Sequence, residues 1–262
     1  MATELDSGDI THMAALSGRY DDLVTKDYSV FHTYHVEPFL DRLTKRLPRG
    51  RLLDVGCGTA VVALAAASRG LTVVGVDHTP EMLEIARRKA ADLGLADRVS
   101  LEVGDANSLP YPDASFDVVT CQRVLHHLPQ LRPCLSEIAR VLKPGGSFYI
   151  SDCCRDVAPV KRALIDLKRT VTRSNGLGRL TDDAEETLPD VLSEDEEPIS
   201  GQELLTTLAD VGLRTESVLF LAELGYRSYL SERMRWNLIR LLSFPWRQSK
   251  GEMVFTTGVK LA

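Results

Sequence analysis

A glycine-rich segment and a nearby aspartate have the residue types and spacing of a ligand site. Gly56 and Gly58 directly follow the apolar run Arg51–Val55, and Asp77 ends the next apolar run, nineteen positions after Gly58. Glycine lets a ligand lie close against bare backbone. A buried strand, a loop without side chains and a second strand that ends in a carboxylate predict a site for an adenosine-containing cofactor.

The spacing of the small residues distinguishes two classes of such a site. A dinucleotide site needs a small residue three positions after the second glycine, where helix and strand pack tightly. This chain has the β-branched Val61 there, which disfavours a nicotinamide-dependent oxidoreductase. The alternative pattern, with a small residue at every second position, is met by Gly56, Gly58 and Ala60.

The segments around this loop alternate between strand and helix patterns, which predicts an α/β fold with a parallel, doubly wound sheet. We predict strands at Arg51–Val55, Thr72–Asp77, Val99–Asp105, Phe116–Gln122, Ser147–Asp152, Arg214–Leu221 and Gly251–Leu261. Helices are expected before the first strand, over 59–69, from Thr79 as N-cap to Gly94, from Leu131 to Lys143, over 157–173, and from Ser200 to about Gly212.

Composition excludes several classes of protein. The 262 residues are 44% hydrophobic and carry a net charge of -6. Nine of the acidic residues fall within 182–198, which we expect to be a loop, and the remainder has 28 acidic against 31 basic residues. No basic stripe indicates nucleic acid. We also find no signal peptide and no apolar run long enough to span a membrane.

The chain has five cysteines without a CxxC pair, which predicts reduced thiols and a cytoplasmic protein. No cluster of metal ligands is evident in the sequence, so we expect no metal.

Five landmarks resemble, in order, the class I S-adenosylmethionine-dependent methyltransferases over roughly residues 50–153. They are Asp54 with the glycine loop, Val74–Asp77, Gly104–Ala106, Asp117–Gln122 and Leu142–Gly146. Ala60 departs from the family, which has a third glycine there. The resemblance implies a Rossmann-like, seven-stranded, mostly parallel sheet with an antiparallel last strand, plus N-terminal helices and a helical insertion.

The resemblance also implies that S-adenosyl-L-methionine is the cofactor and suggests which residues bind it. Asp77 would accept from the ribose hydroxyls, and Asp105 and Ala106 would hold the adenine. The full set of expected cofactor-binding residues is Asp54, Gly56, Gly58, Asp77, His78, Met82, Asp105, Ala106 and Gln122. Asp54 has an alternative role in ordering the loop, and Gln122 has one as an exposed loop residue.

His126 and His127 follow the fourth strand and are candidates for a general base, although such a pair also occurs in the family as a sequence habit. We expect a small-molecule acceptor and O-methylation in biosynthetic or specialised metabolism. N- or C-methylation, and a cyclase or regulatory protein that binds S-adenosylmethionine without methyl transfer, remain alternatives.

Three regions are predicted. Residues 1–45 form an N-terminal helical cap, and 46–153 form the cofactor-binding core. Residues 154–262 complete the sheet and carry the acidic loop over 182–198 and an insertion over 225–250. The insertion contains both tryptophans, Trp236 and Trp246. It is either a helix packed on the body or an aromatic lid over the acceptor pocket.

Overall fold

A computed structural model of the protein describes residues 35–154, 198–221 and 253–261. The acidic loop other than Pro198, the helix predicted over 157–173, the insertion over 225–250 and the cap before His35 lie outside these residues. All five cysteines lie within them, and each is a buried free thiol.

The described elements alternate as predicted. The strands are β1 (Arg51–Val55), β2 (Thr72–Asp77), β3 (Val99–Val103), β4 (Phe116–Gln122), β5 (Leu142–Cys153), β6 (Leu213–Leu221) and β7 (Met253–Lys260). The helices are α1 (Glu37–Arg46), α2 (Val61–Ser68), α3 (Pro80–Asp92), α4 (Leu131–Val141) and α5 (Gly201–Asp210), with a short 3₁₀ turn at Leu125–His127. Pro38 lies in the first turn of α1, where a missing backbone N–H costs nothing.

The strands form one seven-stranded sheet in the order β3-β2-β1-β4-β5-β7-β6. Strand β7 runs antiparallel to both β5 and β6, whereas the other neighbouring pairs are parallel. The predicted doubly wound fold with an antiparallel last strand is therefore confirmed. The strand order reverses between β1 and β4, and the carboxyl ends at such a point form the crevice in which open α/β sheets bind ligands.

Each face of the sheet buries its own apolar cluster, because successive side chains of a strand point to opposite faces. Leu53, Val119 and Ile150 pack with α4 and α5 on one face. Leu52 and Tyr149 pack on the other face with α1, α2 and α3.

Several predicted boundaries were wrong, three of them beside the predicted landmarks. Strand β3 ends at Val103, and Asp105 instead forms an isolated bridge with Ser108. Helix α4 ends at Val141. Strand β5 begins at Leu142, because Leu142 pairs with Phe116 before an irregular stretch through the glycines, and the pairing with β4 resumes where Ser147 lies opposite Val118.

Candidate cofactor and acceptor site

The glycine loop after β1 has a backbone that side chains rarely adopt. The φ angles of Gly56, Gly58 and Ala60 are 65°, 51° and 65°. A Cβ placed on Gly56 would lie 2.1 Å from Cγ2 of Val124. Only glycine fits that position without displacing its neighbours. Ala60, in contrast, carries its methyl group in the left-handed conformation, directly before helix α2.

The carboxylate of Asp77 closes this loop. Its Oδ2 accepts from the Gly58 backbone N–H at 2.8 Å, and its Oδ1 accepts from the Thr79 N–H at 2.9 Å. Thr79 is the N-cap of α3, as predicted, but its own hydroxyl makes no capping bond. A carboxylate has about four acceptor positions, so two remain at Asp77 for ligand hydroxyls beyond these two bonds.

Asp54 lies behind the loop and is only 3% exposed. The Thr120 hydroxyl donates to its Oδ1 at 2.7 Å. Burial raises the pKa of the Asp54 carboxyl to about 7, with a smaller contribution from the negative charge of Asp77 and opposition from the Thr120 hydrogen bond. These contacts favour the alternative in which Asp54 orders the loop from within.

The residues expected around the adenosine lie near Asp77 but differ in accessibility. The Gly104 N–H donates to the Asp77 carbonyl at 3.0 Å, which brings the end of β3 beside β2. Asp105 and Ala106 are half-buried, and Asp105 Oδ1 accepts from the Asn107 N–H at 2.8 Å. Two further expected residues lie at the start of α3. His78 precedes the helix and its side chain is 27% exposed, whereas Met82 lies in the first turn and is buried.

Gln122 ends β4, between the loop and the histidine pair. Its Nε2 is buried and has no hydrogen-bond partner among the residues that the structure describes. A buried amide without a partner is costly, so this nitrogen is a donor that a bound ligand would satisfy. Together with the open acceptor positions on Asp77, it fits an adenosine-containing group with hydroxyl and carboxylate oxygens.

The two histidines follow Gln122 on the 3₁₀ turn. Their ring centroids lie 4.0 Å apart. His126 Nδ1 is 2.6 Å from Oδ1 of Asp152, near the end of β5, and both side chains are buried. The turn also contacts the glycine loop, because Val124 is the side chain that lies over Gly56.

His126, Asp152 and Cys153 bring three possible metal-ligating atoms within 4.8 Å of one another. Two ligands of a tetrahedral zinc ion, each about 2.0–2.1 Å from the metal, lie roughly 3.3 Å apart. The 2.6 Å contact between His126 and Asp152 is shorter and is a hydrogen bond. The geometry therefore favours a hydrogen-bonded pair over a metal centre.

Sequence reasoning missed Asp152 as a site residue. The available signal was an acidic residue at the carboxyl end of the apolar strand Phe148–Ile150, at the same edge as the other candidates. Its partner is 26 positions away, and the pairing of Gln122 with Ser151 across β4 and β5 brings the two together.

Residues 53–150 match a protein family described as "Methyltransferase domain". The "uncharacterized methyltransferase YcgJ" of Bacillus subtilis (strain 168) is 42% identical over 102 residues, which are 39% of this chain and 40% of that protein. The chain carries a class I S-adenosylmethionine-dependent methyltransferase domain. The predictions of the family and of S-adenosylmethionine as the cofactor of this domain are thus confirmed.

The names of other relatives of the methyltransferase domain specify different acceptor atoms for the methyl group. The 27-O-demethylrifamycin SV methyltransferase of Amycolatopsis mediterranei (strain S699) is 41% identical over 43% of this chain and 43% of its own. The ubiquinone/menaquinone biosynthesis C-methyltransferase UbiE of Geobacter sp. (strain M21) is 38% identical over 44% of this chain and 50% of its own length. The chain thus spans two fifths to one half of the length of these relatives.

The crystal structure of the YcgJ protein from Bacillus subtilis covers 87% of this chain and 99% of its own at a TM-score of 0.56 and 22% identity. At that identity, the likeness supports the fold alone. Among the helices in the described part of the chain, none combines the length and the apolar character needed to cross a bilayer.

Proposed function

We propose that this protein transfers a methyl group from S-adenosylmethionine to a hydroxyl group of a small molecule. The observation that carries the proposal is the position of the histidine turn against the glycine loop, where Val124 covers Gly56 and both histidines follow after Leu125. A proton acceptor beside the cofactor loop is what an attacking hydroxyl requires.

The proposed cofactor contacts are those of the family on the matching residues. Asp77 accepts from the ribose hydroxyls in its two open positions, next to His78. Asp105 and Ala106 hold the adenine beside Met82. Gly56 and Gly58 leave room for the amino-acid tail, and the Gln122 amide donates to it. Bound S-adenosylmethionine would supply the methyl group on a positively charged sulfonium, whose sulfur departs as a neutral thioether.

The preference for a hydroxyl acceptor comes from proton balance. A neutral alcohol or phenol loses its proton as it attacks, and a positioned base contributes about 10²–10⁴-fold to such a step. A neutral amine attacks through its lone pair and needs no base at that moment. A histidine base at the acceptor side is therefore more useful for O-methylation. Alignment of the acceptor can supply about 7–11 kcal/mol more.

The experiment is an acceptor screen with matched pairs. Purified protein is incubated with S-adenosylmethionine and a set of small phenols and alcohols, each paired with the amine of the same carbon skeleton. We expect S-adenosylhomocysteine to form with hydroxyl members and not with their amine partners. Turnover confined to amines or carbon acids would contradict O-methylation. Cofactor binding without any turnover would instead favour the cyclase or regulatory alternative.

The wider organisation is also a proposal. We infer a cofactor-binding core over 46–153, flanked by an N-terminal cap over 1–45 and a C-terminal part over 154–262 that completes the same sheet. We further infer a cytoplasmic protein of biosynthetic or specialised metabolism that acts on a small molecule and not on nucleic acid. Turnover only with an RNA acceptor would refute this.

A further inference from the structure

We infer that Glu137 and Arg140 of α4 are positioning residues for the adenine of the cofactor. They hold the β3–β4 loop, residues 104–115, in the conformation that presents Asp105 and Ala106 to the ring. The inference rests on the proposed function, in which these two loop residues contact the adenine. It goes beyond that function, because it assigns the selection of adenine over another purine base to a helix that makes no proposed cofactor contact.

The β3–β4 loop joins two strands that are not neighbours in the sheet, and it does so without a helix. Its first part is a tight turn around Asp105, which forms an isolated bridge with Ser108. Asp105 Oδ1 accepts from the Asn107 N–H at 2.8 Å, and the Asp105 carbonyl accepts from the Ser108 N–H at 3.0 Å. These bonds shape the turn itself, but its place in the molecule depends on the residues that follow it.

Helix α4 binds the segment directly after this turn. Glu137 Oε2 accepts from the Leu109 N–H at 2.7 Å. Arg140 Nη2 donates to the Leu109 carbonyl at 2.9 Å, and Arg140 Nη1 donates to the Tyr111 carbonyl at 2.7 Å and to Asp113 Oδ1 at 2.8 Å. The Leu109 side chain is buried in the apolar cluster that α4 also lines. Both backbone groups of the first residue after the turn are therefore held by one helix.

Glu137 and Arg140 also fix each other. Arg140 Nε and Nη2 donate to the two carboxylate oxygens of Glu137 at 2.7 and 2.8 Å, a paired geometry that is both strong and directional. The hydrogen bond from Arg140 holds the pKa of Glu137 below its ordinary value, against the effect of burial. Lysine has the same charge as arginine but cannot reproduce its planar fork. A lysine at position 140 would thus lose most of the contacts to the loop.

The base that the loop would select follows from the polarity of its hydrogen bonds. Adenine has an amino group that can donate to the Asp105 carboxylate and a ring nitrogen that can accept from the Ala106 N–H. Hypoxanthine, its deaminated form, has a carbonyl oxygen and an N–H at these two places, so both contacts are mismatched. A site built for hydrogen bonds rejects such an analogue only when its own groups are held in position. The contacts from α4 provide that restraint.

The test is calorimetric titration of the full-length protein with S-adenosylhomocysteine and with S-inosylhomocysteine, which has hypoxanthine in place of adenine. Two mismatched hydrogen bonds predict that wild type prefers S-adenosylhomocysteine by about 10²-fold. We expect Arg140→Lys to lower this preference by about 10-fold, mainly through weaker binding of S-adenosylhomocysteine. Glu137→Gln keeps an oxygen for the Leu109 N–H and should lower the preference by less. A general loss of stability would weaken both ligands equally and leave the preference unchanged.

Two further variants show whether the effect passes through the loop. Arg132→Lys is the matched control, because it also alters an arginine–carboxylate pair of α4, in this case with Asp210 of α5. We expect it to keep the wild-type preference. Asp105→Ala should remove most of the preference. Adding Arg140→Lys to Asp105→Ala should lower the preference no further, because Arg140 acts through Asp105 and the two effects are not additive.

The outcomes separate this inference from the proposed function. If wild type prefers S-adenosylhomocysteine but Arg140→Lys and Glu137→Gln keep the full preference, the inference alone is overturned. An equal loss in Arg132→Lys, or a further loss when Arg140→Lys is added to Asp105→Ala, also overturns it. If wild type binds the two ligands equally or binds neither, the proposed adenine contacts fail and the inference fails with them. Circular dichroism reports whether each variant is folded, and Glu137→Gln decides if Arg140→Lys is not.

Discussion

Replacing Gly56 with alanine tests the requirement for a bare backbone in the cofactor loop. Two costs arise in the structure. At φ +65° a Cβ costs about 1–2 kcal/mol. The new methyl group would also lie 2.1 Å from Cγ2 of Val124, and such overpacking typically costs about 1–3 kcal/mol.

The unfolded state offsets part of this cost, because alanine loses about 0.4–1 kcal/mol less backbone entropy on folding than glycine. We therefore expect Gly56→Ala to lower the free energy of unfolding by roughly 1–5 kcal/mol. Urea denaturation followed by circular dichroism measures this value, provided that the slope with urea stays constant.

Gly94→Ala is the matched control, because Gly94 has φ +67° and nothing within 4 Å of an added Cβ. It carries the backbone cost without the overlap, so Gly56→Ala should cost about 1–3 kcal/mol more. The double variant Gly56→Ala/Val124→Ala should recover much of that difference as a coupling energy. Equal costs for the two glycines, or no coupling with Val124, would refute the close approach between the loop and the histidine turn.

Two further predictions concern the same loop. The pKa of Asp54 is raised from 3.8 to about 7 by burial, so the folded state binds more protons than the unfolded state between these values. Stability should therefore fall as pH rises through this window, by up to about 4 kcal/mol at 1.36 kcal/mol per pH unit. Asp54→Asn should flatten the pH dependence measured in urea, and an unchanged slope would contradict the assignment. Ala60→Gly relieves a left-handed alanine, whereas Ala66→Gly, equally buried inside α2, does not. By thermal denaturation, Ala60→Gly should cost about 1–2 kcal/mol less than Ala66→Gly, and equal losses would argue against strain at Ala60.

The sequence was sufficient for the local features of this fold. Strands β1, β2 and β4 begin and end where predicted, because short buried apolar runs bounded by glycine or a polar residue have no competing helical pattern. The start of β5 was not predictable from Pro144–Gly146, which normally signals a turn. The strand begins before these residues, because Leu142 pairs with Phe116, and its pairing with β4 resumes after them at Ser147.

The contacts that give the site its chemistry were less accessible to sequence reasoning. Asp54 with Thr120, and His126 with Asp152, are separated by 66 and 26 positions. Each pair forms because neighbouring strands set the register at the carboxyl edge of the sheet. Residue type alone identified the histidines as candidates, but not which of them is held by a buried acid.

The central claim is that the Asp77 carboxylate and the glycine loop bind the adenosine part of the cofactor, and calorimetric titration with S-adenosylhomocysteine tests it most directly. Two hydrogen bonds to a charged acceptor, each about 1.5–3 kcal/mol, predict that Asp77→Asn binds roughly 10²–10⁴-fold more weakly than wild type. Asp117 lies near the opposite end of β4, where it accepts from Lys143 and from the Arg51 N–H. Asp117→Asn should therefore bind S-adenosylhomocysteine as tightly as wild type. No binding to the wild-type protein, or equal affinity in Asp77→Asn, would contradict the account.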